Sequence, residues 1–423
     1  MARHICLFED AQCAKLLPLV YFRPVYNLKC GILSLREKVI RLYPKAELTL
    51  HCRPYLTEYV RLRDSGLRVN ELAQTPYLFL NGRVIADENL AKQISDYGGK
   101  DCAFVHGDLL IAASVSGTNL KRVREGLGDA LSLSLFDQLP RVEIEAHVIS
   151  YPWDLVHHNG QELRRDFDHF VKTKRGKRIR GKVHQGVHLL NKADIYIDEG
   201  ATVKPGVVLD AEDGPIYIGR KAKIFPQATL TGPVSVGDQS WIKIGAQIYE
   251  DTSIGPLSKV GGEVEGSIIH GYSNKQHGGF LGHSYIGTWV NLGADTNNSD
   301  LKNNYGSVKV TIGTEQIDTG RQFVGLTMGD HSKSAINSMF NTGTVVGVSS
   351  NIFGHGFPPK YVPSFSWGAA GERFTTYNVD RAIDVARRVM SRRKVELTTA
   401  EDRLFRTIFE MTAHERRRRG MPN

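Results

Sequence analysis

The chain has 423 residues, 41% of them hydrophobic, with 42 glycines and 54 basic against 45 acidic side chains, a formal net charge of +9. This is the composition of a globular, turn-rich protein long enough for two or three domains, and core size is no obstacle. No run of 18 apolar residues occurs and Met1 to Gln12 does not read as a signal peptide, so the expectation is a soluble cytoplasmic protein with no membrane partner.

The chain opens with a short apolar strand, His4 to Phe8, a loop, and then Leu16-Leu17-Pro18-Leu19 and Arg23-Pro24, after which Gly31 leads into a helical stretch from Ile32 to Leu42. Pro54 to Arg63 and Asn89 to Ile94 read as helices, Tyr77 to Leu80 and Ala103 to Val105 as strands, and the alternation runs to about Phe136. Such alternation predicts an α/β layer with a largely parallel sheet, whose ligand crevice lies beyond the carboxyl ends of the strands, where the loop after Phe8 sits. The five cysteines, Cys6, Cys13, Cys30, Cys52 and Cys102, include no pair at zinc-site or redox spacing and read as reduced thiols. His157 and His158 read as polar surface in a loop.

A basic run from Lys172 to Lys182 marks a linker, and beyond it an aliphatic residue recurs at every sixth position. Ile218, Ile224, Leu230, Val236, Ile242, Ile248, Ile254 and Val260 are eight in register, and Ile197, Val203 and Leu209 extend the pattern upstream. A period of six fits neither a helix nor a half-buried strand; it fits a coiled strand with six-residue sides. The period fails from Gly266 to Tyr285, resumes at Ile286 and Leu292, and echoes weakly at Val324, Ile336 and Val348. Function tends to sit where such a pattern breaks. Gly354 to Pro359 is expected to close the solenoid. Two amphipathic helices follow, one with the stripe Val379, Ile383, Ala386 and Met390, the other with Leu404, Ile408 and Met411 behind a capping box of Thr398 and Glu401.

From Arg373 to Arg419 there are 13 basic and 7 acidic residues, a net +6. Neither this tail nor the linker is interleaved with aromatics as base-stacking platforms are, so nucleic acid is not the expected partner. The cations read as solvated helix faces and linker, or as contacts to substrate phosphates. Arg416 to Arg419 reads as a frayed end.

The hexads resemble those of the left-handed parallel β-helix acyltransferases, which implies three sides per coil, with residues eighteen apart stacked. Leu-x-Pro-Leu, Arg-Pro and the following Gly resemble the opening of sugar-1-phosphate nucleotidyltransferases. The departures are Phe8-Glu9-Asp10-Ala11 in place of a glycine-rich phosphate loop and Asn81-Gly82-Arg83 where a metal-binding Asp is expected. With Tyr151-Pro152-Trp153-Asp154-Leu155, Asn159 and Asp166, these match a variant branch, the alternative bacterial bifunctional enzymes of UDP-N-acetylglucosamine synthesis, which are GlmU-like. The resemblance implies a shortened α/β nucleotidyltransferase-like domain over 1–175, a basic linker over 176–194, a left-handed parallel β-helix over 195–360 and a helical extension over 361–423. In the first domain it makes Arg23, Glu9 and Asp10 the candidates for nucleotide contact. Glu9, Asp10 and Asp108 are the candidates for holding Mg²⁺.

In the coil, Asn274 to His283 resembles the acetyltransferase half of the same family. His277 then matches the catalytic histidine, Phe280 stands where the better-known branch has Tyr, Asn291 matches the residue that contacts the amino sugar, and Ala294 the one whose backbone N–H faces the thioester. Lys275, Lys302, Tyr305 and Lys309 are further candidates for binding the sugar phosphate, and His283 reads as structural or a secondary contact. An amine attacking a thioester must shed a proton, and an imidazole with an ordinary pKa of about 6.5 suits its acceptance near neutrality. A backbone N–H aimed at the developing oxyanion lowers the barrier further, by roughly 3 kcal/mol.

The expected activity is N-acetylation of glucosamine 1-phosphate by acetyl-CoA, coupled to uridylyl transfer from a nucleoside triphosphate, in amino-sugar metabolism that feeds the cell envelope. The resemblance also implies a homotrimer with sites in the grooves between coils. Two alternatives stay open. In one the first domain is a non-catalytic sugar-nucleotide-binding module. In the other the protein is a zinc-dependent hydratase, with His270, His277, His283 and His331 as candidate ligands across a subunit interface.

Overall fold

A computed structural model describes residues 4–173 and 177–421. The first domain is built on seven strands: β1 (His4–Phe8), β2 (Glu47–Leu50), β3 (Arg68–Val69), β4 (Tyr77–Asn81), β5 (Cys102–His106), β6 (Leu109–Val115) and β7 (Arg141–Glu143). They lie in the order β3-β2-β1-β4-β6-β5-β7. The first four are mutually parallel, β6 returns antiparallel to β4 and to β5, and β7 runs parallel to β5. The sheet is therefore largely parallel, as the alternation of elements predicts. β1 and β4 are central and almost wholly buried, which is why they read as continuous apolar runs. All five cysteines are buried in this domain with free thiols.

Helix α1 spans Leu35–Leu42, so it starts three residues later than the sequence reading. The reason is local: Ser34 caps the backbone N–H of Glu37 while the Glu37 carboxylate reaches back to the N–H of Ser34, and this box fixes the start. Three more helices complete the layer, α2 (Thr57–Arg63), α3 (Glu88–Asp96) and α4 (Gly117–Glu125). The long α5 (Pro152–Thr173) then leaves the domain and lies along the coil, carrying His157 and His158 on a helix rather than in a loop.

The coil is built on parallel sheets of nine, six and six strands, with further sheets of two and four strands in its later rungs. Ile218 pairs with Val236, Ile224 with Ile242, and Val236 with Ile254, each eighteen apart. The hexad aliphatics from Ile197 to Val260 all point into one buried core. One corner of the prism is a column of left-handed residues: Lys221, Gln239, Leu257, Tyr272, Trp289, His331, Ser349 and Phe365, all with φ between 52° and 61°. Each costs roughly 1–2 kcal/mol outside glycine, so it is the stacking above and below that holds them there.

The structure shifts both ends of the coil and the later register. Lys182–Val183 and His188–Leu190 already pair with the next rung, so the segment 176–194 holds the first rung of the coil; residues 174–176 lie outside the described residues. Between Gly266 and Tyr285 the coil continues on shorter sides, with Ile254 opposite Ile269 and Val264 opposite Leu281. Ile286 then stacks on Met328, 42 residues on, because a loop containing the hairpin Lys309–Ile312 and Glu315–Asp318 is inserted. The inward positions afterwards are Met328, Phe340, Val346 and Ile352. Val324 instead packs on Trp153, Val348 faces the first domain, and Ile336 is 66% exposed. Gly354 to Pro359 does not end the solenoid: Tyr361–Val362 and Ser366–Ala370 add a further rung, and Thr375–Thr376 turns back antiparallel over it. An edge strand only two residues long offers little backbone for further pairing.

Helices α6 (Val379–Ser391), α7 (Thr399–Met411) and α8 (Ala413–Arg418) fill the angle between the two domains. Ile383, Ala386, Met390, Leu404 and Ile408 are buried as their spacing predicts, in one cluster with Phe22 of the first domain and Phe365 of the coil. Burying each of the larger of these side chains stabilises by about 1.5–3 kcal/mol. Met411 is 42% exposed and leaves the stripe, and Phe405 takes its place. Arg416 is not frayed. It is buried with its guanidinium 4.1 Å from the centre of the Phe409 ring, donating to the Phe409 carbonyl at 2.8 Å.

Candidate functional site

The loop beyond β1 is closed by ion pairs. The Glu9 carboxylate accepts from Arg53 Nε at 3.0 Å and Nη2 at 3.1 Å, and from the backbone N–H of Val25 at 2.7 Å. The Asp10 carboxylate accepts from Arg83 Nε at 2.9 Å and Nη2 at 2.6 Å, and from Asn81 Nδ2 at 2.9 Å. Gly82 between these partners has no room for a side chain, since a Cβ there would lie 2.8 Å from the Tyr26 ring. Arg23 spans the domains: its Nη2 donates to Asp330 Oδ2 at 2.6 Å and to Thr288 Oγ1 at 2.8 Å. Glu9, Asp10 and Arg23 are all buried and ion-paired within the protein, which departs from the expectation of nucleotide contact. Asp108 sits exposed at the tip between β5 and β6. Among the described residues no three His, Cys, Asp or Glu side chains converge as a metal site, and as arranged these acids do not fit Mg²⁺.

The Tyr151–Leu155 motif with Asn159 and Asp166 is an internal clamp. Asp154 caps the start of α5 by accepting from the N–H groups of Ser150 and Tyr151 at 2.9 Å. Asn159 accepts from the Gly31 N–H at 2.7 Å and from Ser253 Oγ at 3.0 Å, and donates to the Asp251 carbonyl at 2.7 Å. Asp166 accepts from buried Lys38 at 2.8 Å and from Arg41 at 2.9 Å. A Cβ on Gly31 would lie 2.6 Å from that carboxylate, so only glycine fits there.

In the coil, Lys275 departs furthest from expectation. It occupies the inward position above Val260, and its ammonium is accepted by the carbonyls of Gly261, His277 and Gly278 at 3.0, 3.1 and 3.2 Å. Burial lowers its pKa to about 8. It is therefore a coil-interior residue that pins the 277–278 corner, not a substrate ligand. His277 stands exposed at that corner, between the strands Asn274–Lys275 and Phe280–Gly282, with no side-chain hydrogen bond among the described residues. Asn291 lies one rung above Asn274, its Oδ1 accepting from Asn274 Nδ2 at 3.4 Å. The ring of Phe280 lies over Gly282, and the Ala294 carbonyl accepts from Asn337 N–H at 2.7 Å. Lys302, Tyr305 and Lys309 all sit in the inserted segment; Lys302 donates to the Ser307 carbonyl, and Tyr305 is 66% exposed.

The other histidines have separate settings. His283 Nδ1 is 2.8 Å from Asp300 Oδ2, with its ring against Phe323. His270 bonds the Asn27 carbonyl, and His331 packs among Phe22, Trp289 and Phe405, both inside the interface with the first domain. Burial holds both imidazoles well below their ordinary pKa. That places two of the four candidate zinc ligands away from any outer face of the coil.

A cavity of about 310 Å³ lies between the coil and the end of α6, and Gln276, the residue before His277, lines it. Lys259, Lys333, Arg392 and Arg393 line it together with the rings of Tyr272 and Trp289. Asn274, Gln276 and Asn291 complete its floor. Of these only Asn291 was singled out from sequence. Arg392-Arg393 follows directly on the Met390 stripe and Lys259 precedes hexad Val260, so a basic pair at a helix end facing a basic hexad was the readable signal.

A family model described as sugar nucleotidyl transferase matches residues 5–175. A bifunctional protein GlmU of Methanococcus aeolicus is 29% identical over 202 residues, 48% of this chain and 42% of that protein. A bifunctional sugar-1-phosphate nucleotidylyltransferase/acetyltransferase of Sulfurisphaera tokodaii is 28% identical over 230 residues, 54% of this chain and 50% of that protein. The chain thus spans about half the length of the curated relatives it matches. Among solved structures, a UDP-N-acetylglucosamine acyltransferase from Campylobacter jejuni covers 55% of this chain and 95% of its own at 12% identity, with a TM-score of 0.21. The chain thus sets a nucleotidyl transferase domain ahead of a parallel β-helix and is similar in sequence to GlmU-like bifunctional transferases.

Proposed function

We propose that the coil carries an acetyl-CoA-dependent N-acetyltransferase site acting on an amino-sugar phosphate, glucosamine 1-phosphate. The observation that carries this reading is the place of His277: an exposed imidazole without a hydrogen-bond partner among the described residues, at the corner that directly follows Gln276 of the basic cavity. The amine attacks the thioester carbonyl, the C–N bond forms, the C–S bond breaks, and His277 takes the proton from nitrogen and passes it to the departing thiolate. In this reading Asn291 orients the amino sugar, the N–H of Ala294 faces the oxyanion, Phe280 walls the site, and Lys302, Tyr305 and Lys309 reach the sugar phosphate from the inserted segment. A neighbouring coil of a homotrimer completes the groove. Incubating the chain with acetyl-CoA and a set of amino-sugar phosphates while following free thiol tests the reading; release with glucosamine 1-phosphate is expected, and no release with any acceptor removes it.

For the first domain, the family match supports uridylyl transfer from UTP to the acetylated sugar 1-phosphate, a step of UDP-N-acetylglucosamine biosynthesis in the cytoplasm. The Glu9–Arg53 and Asp10–Arg83 pairs favour a second reading, a domain that binds a sugar nucleotide without turning it over. Pyrophosphate release from UTP in the presence of N-acetylglucosamine 1-phosphate separates the two, since a binding module gives none.

A further inference from the structure

We propose that the cavity between the coil and the end of α6 binds the phosphates of a nucleotide-type ligand, a chemistry shared by coenzyme A and UTP. Its cations come from both sides, Lys259 and Lys333 from the coil and Arg392 and Arg393 from the helical extension, and no carboxylate lines it. Elsewhere in this protein a buried cation meets an acid: Arg23 with Asp330, Lys38 with Asp166, Arg53 with Glu9, Arg83 with Asp10. Where it does not, as at Lys275, three carbonyl groups take up its donors.

The cavity cations have only partial, neutral partners. Arg393 Nη2 donates to Asn274 Oδ1 at 2.9 Å, Lys333 Nζ to the His331 carbonyl at 2.8 Å, and Lys259 lies 4.4 Å from the centre of the Trp241 ring. Burial lowers the pKa of Lys333 to about 8, and burial followed by the neighbouring cations lowers those of Lys259 and Arg393. An anion in the cavity would relieve that mutual repulsion, and guanidinium forks suit phosphate oxygens. The volume of about 310 Å³ takes a diphosphate and part of a nucleoside. The Tyr272 and Trp289 rings, 4.4 Å apart between centres, offer one wall to a flat group. The proposal rests on the acyl-transfer reading only in the choice of coenzyme A as a probe.

The test is calorimetric titration of the full chain with coenzyme A, UTP and pyrophosphate, repeated with Arg392→Ser/Arg393→Ser and, independently on the coil side, Lys259→Gln. At least one of coenzyme A and UTP is expected to bind, which identifies the source, and each variant is expected to weaken that binding tenfold or more while its thermal melt stays near wild type. Raised salt weakens the wild-type affinity in the same sense. Absence of binding by both, or affinities unchanged in both variants, overturns the proposal. His277→Ala is expected to retain binding, so loss of transfer in that variant with intact titrations separates failure of the catalytic reading from failure of this one.

Discussion

Arg23 of the first domain and Asp330 of the coil form an ion pair of 2.6 Å with both side chains buried, and Thr288 takes a second bond from the same Nη2. The pair closes the interface that α6 and α7 fill from the other side. Removing one partner leaves the other charge buried and unpaired, which costs about 3–5 kcal/mol. Arg23→Ala and Asp330→Ala are each expected to lower stability by that order in urea unfolding, with a coupling above 1 kcal/mol in the double variant. Independent, additive effects would show that the pair does not tie the domains.

Asn159 joins three segments through one buried amide. Asn159→Ala leaves the Gly31 N–H and the Asp251 carbonyl short of a partner, while the Ser253 hydroxyl keeps the Gly31 carbonyl at 2.9 Å, an expected loss of about 2–3 kcal/mol. A change under 0.5 kcal/mol in unfolding would mean that α5 does not depend on this clamp.

Lys275 links stability to pH. Its folded-state pKa is about 8, against about 10.4 in an unfolded chain. Between these values the unfolded chain binds more protons, so stability rises as pH climbs through that window. Lys275→Met, which keeps the volume and removes the charge, is expected to flatten the rise; parallel urea titrations at pH 7 and 9.5 measure it. An undiminished rise in the variant would assign the effect to another group.

His277→Ala is expected to lower kcat for acetyl transfer by about 10² to 10⁴, while Asn291→Ala raises KM for the acceptor more than it lowers kcat. Steady-state thiol release at saturating acetyl-CoA distinguishes them. A His277→Ala protein at wild-type kcat would transfer the base role elsewhere.

The hexads were legible as far as Val260 because each side there is six residues long and every inward position is aliphatic. Beyond it the sides shorten, a lysine takes an inward position, and the inserted loop moves the stack from 18 to 42 residues, so reading on in steps of six chose Ile336, an exposed residue, over Phe340. His277 and Asn291 belong to one short stretch of the coil, so their motif can be seen without knowing how distant segments meet. The fates of Glu9 and Asp10 could not be read, because Arg53 and Arg83 reach them from distant loops. The basic cavity was hidden for the same reason: Lys259 and Arg393 are brought together only when α6 docks.

Phe374 and Met421 belong to the same buried cluster as the coil aliphatics. The solenoid is thus stoppered by Phe374, just after its last parallel strand at Ser366–Ala370, and by Met421, which lies beyond α8. A nascent chain halted before Met421 leaves part of the apolar mouth open to solvent, and sealing it has to wait until α6 to α8 have emerged and docked.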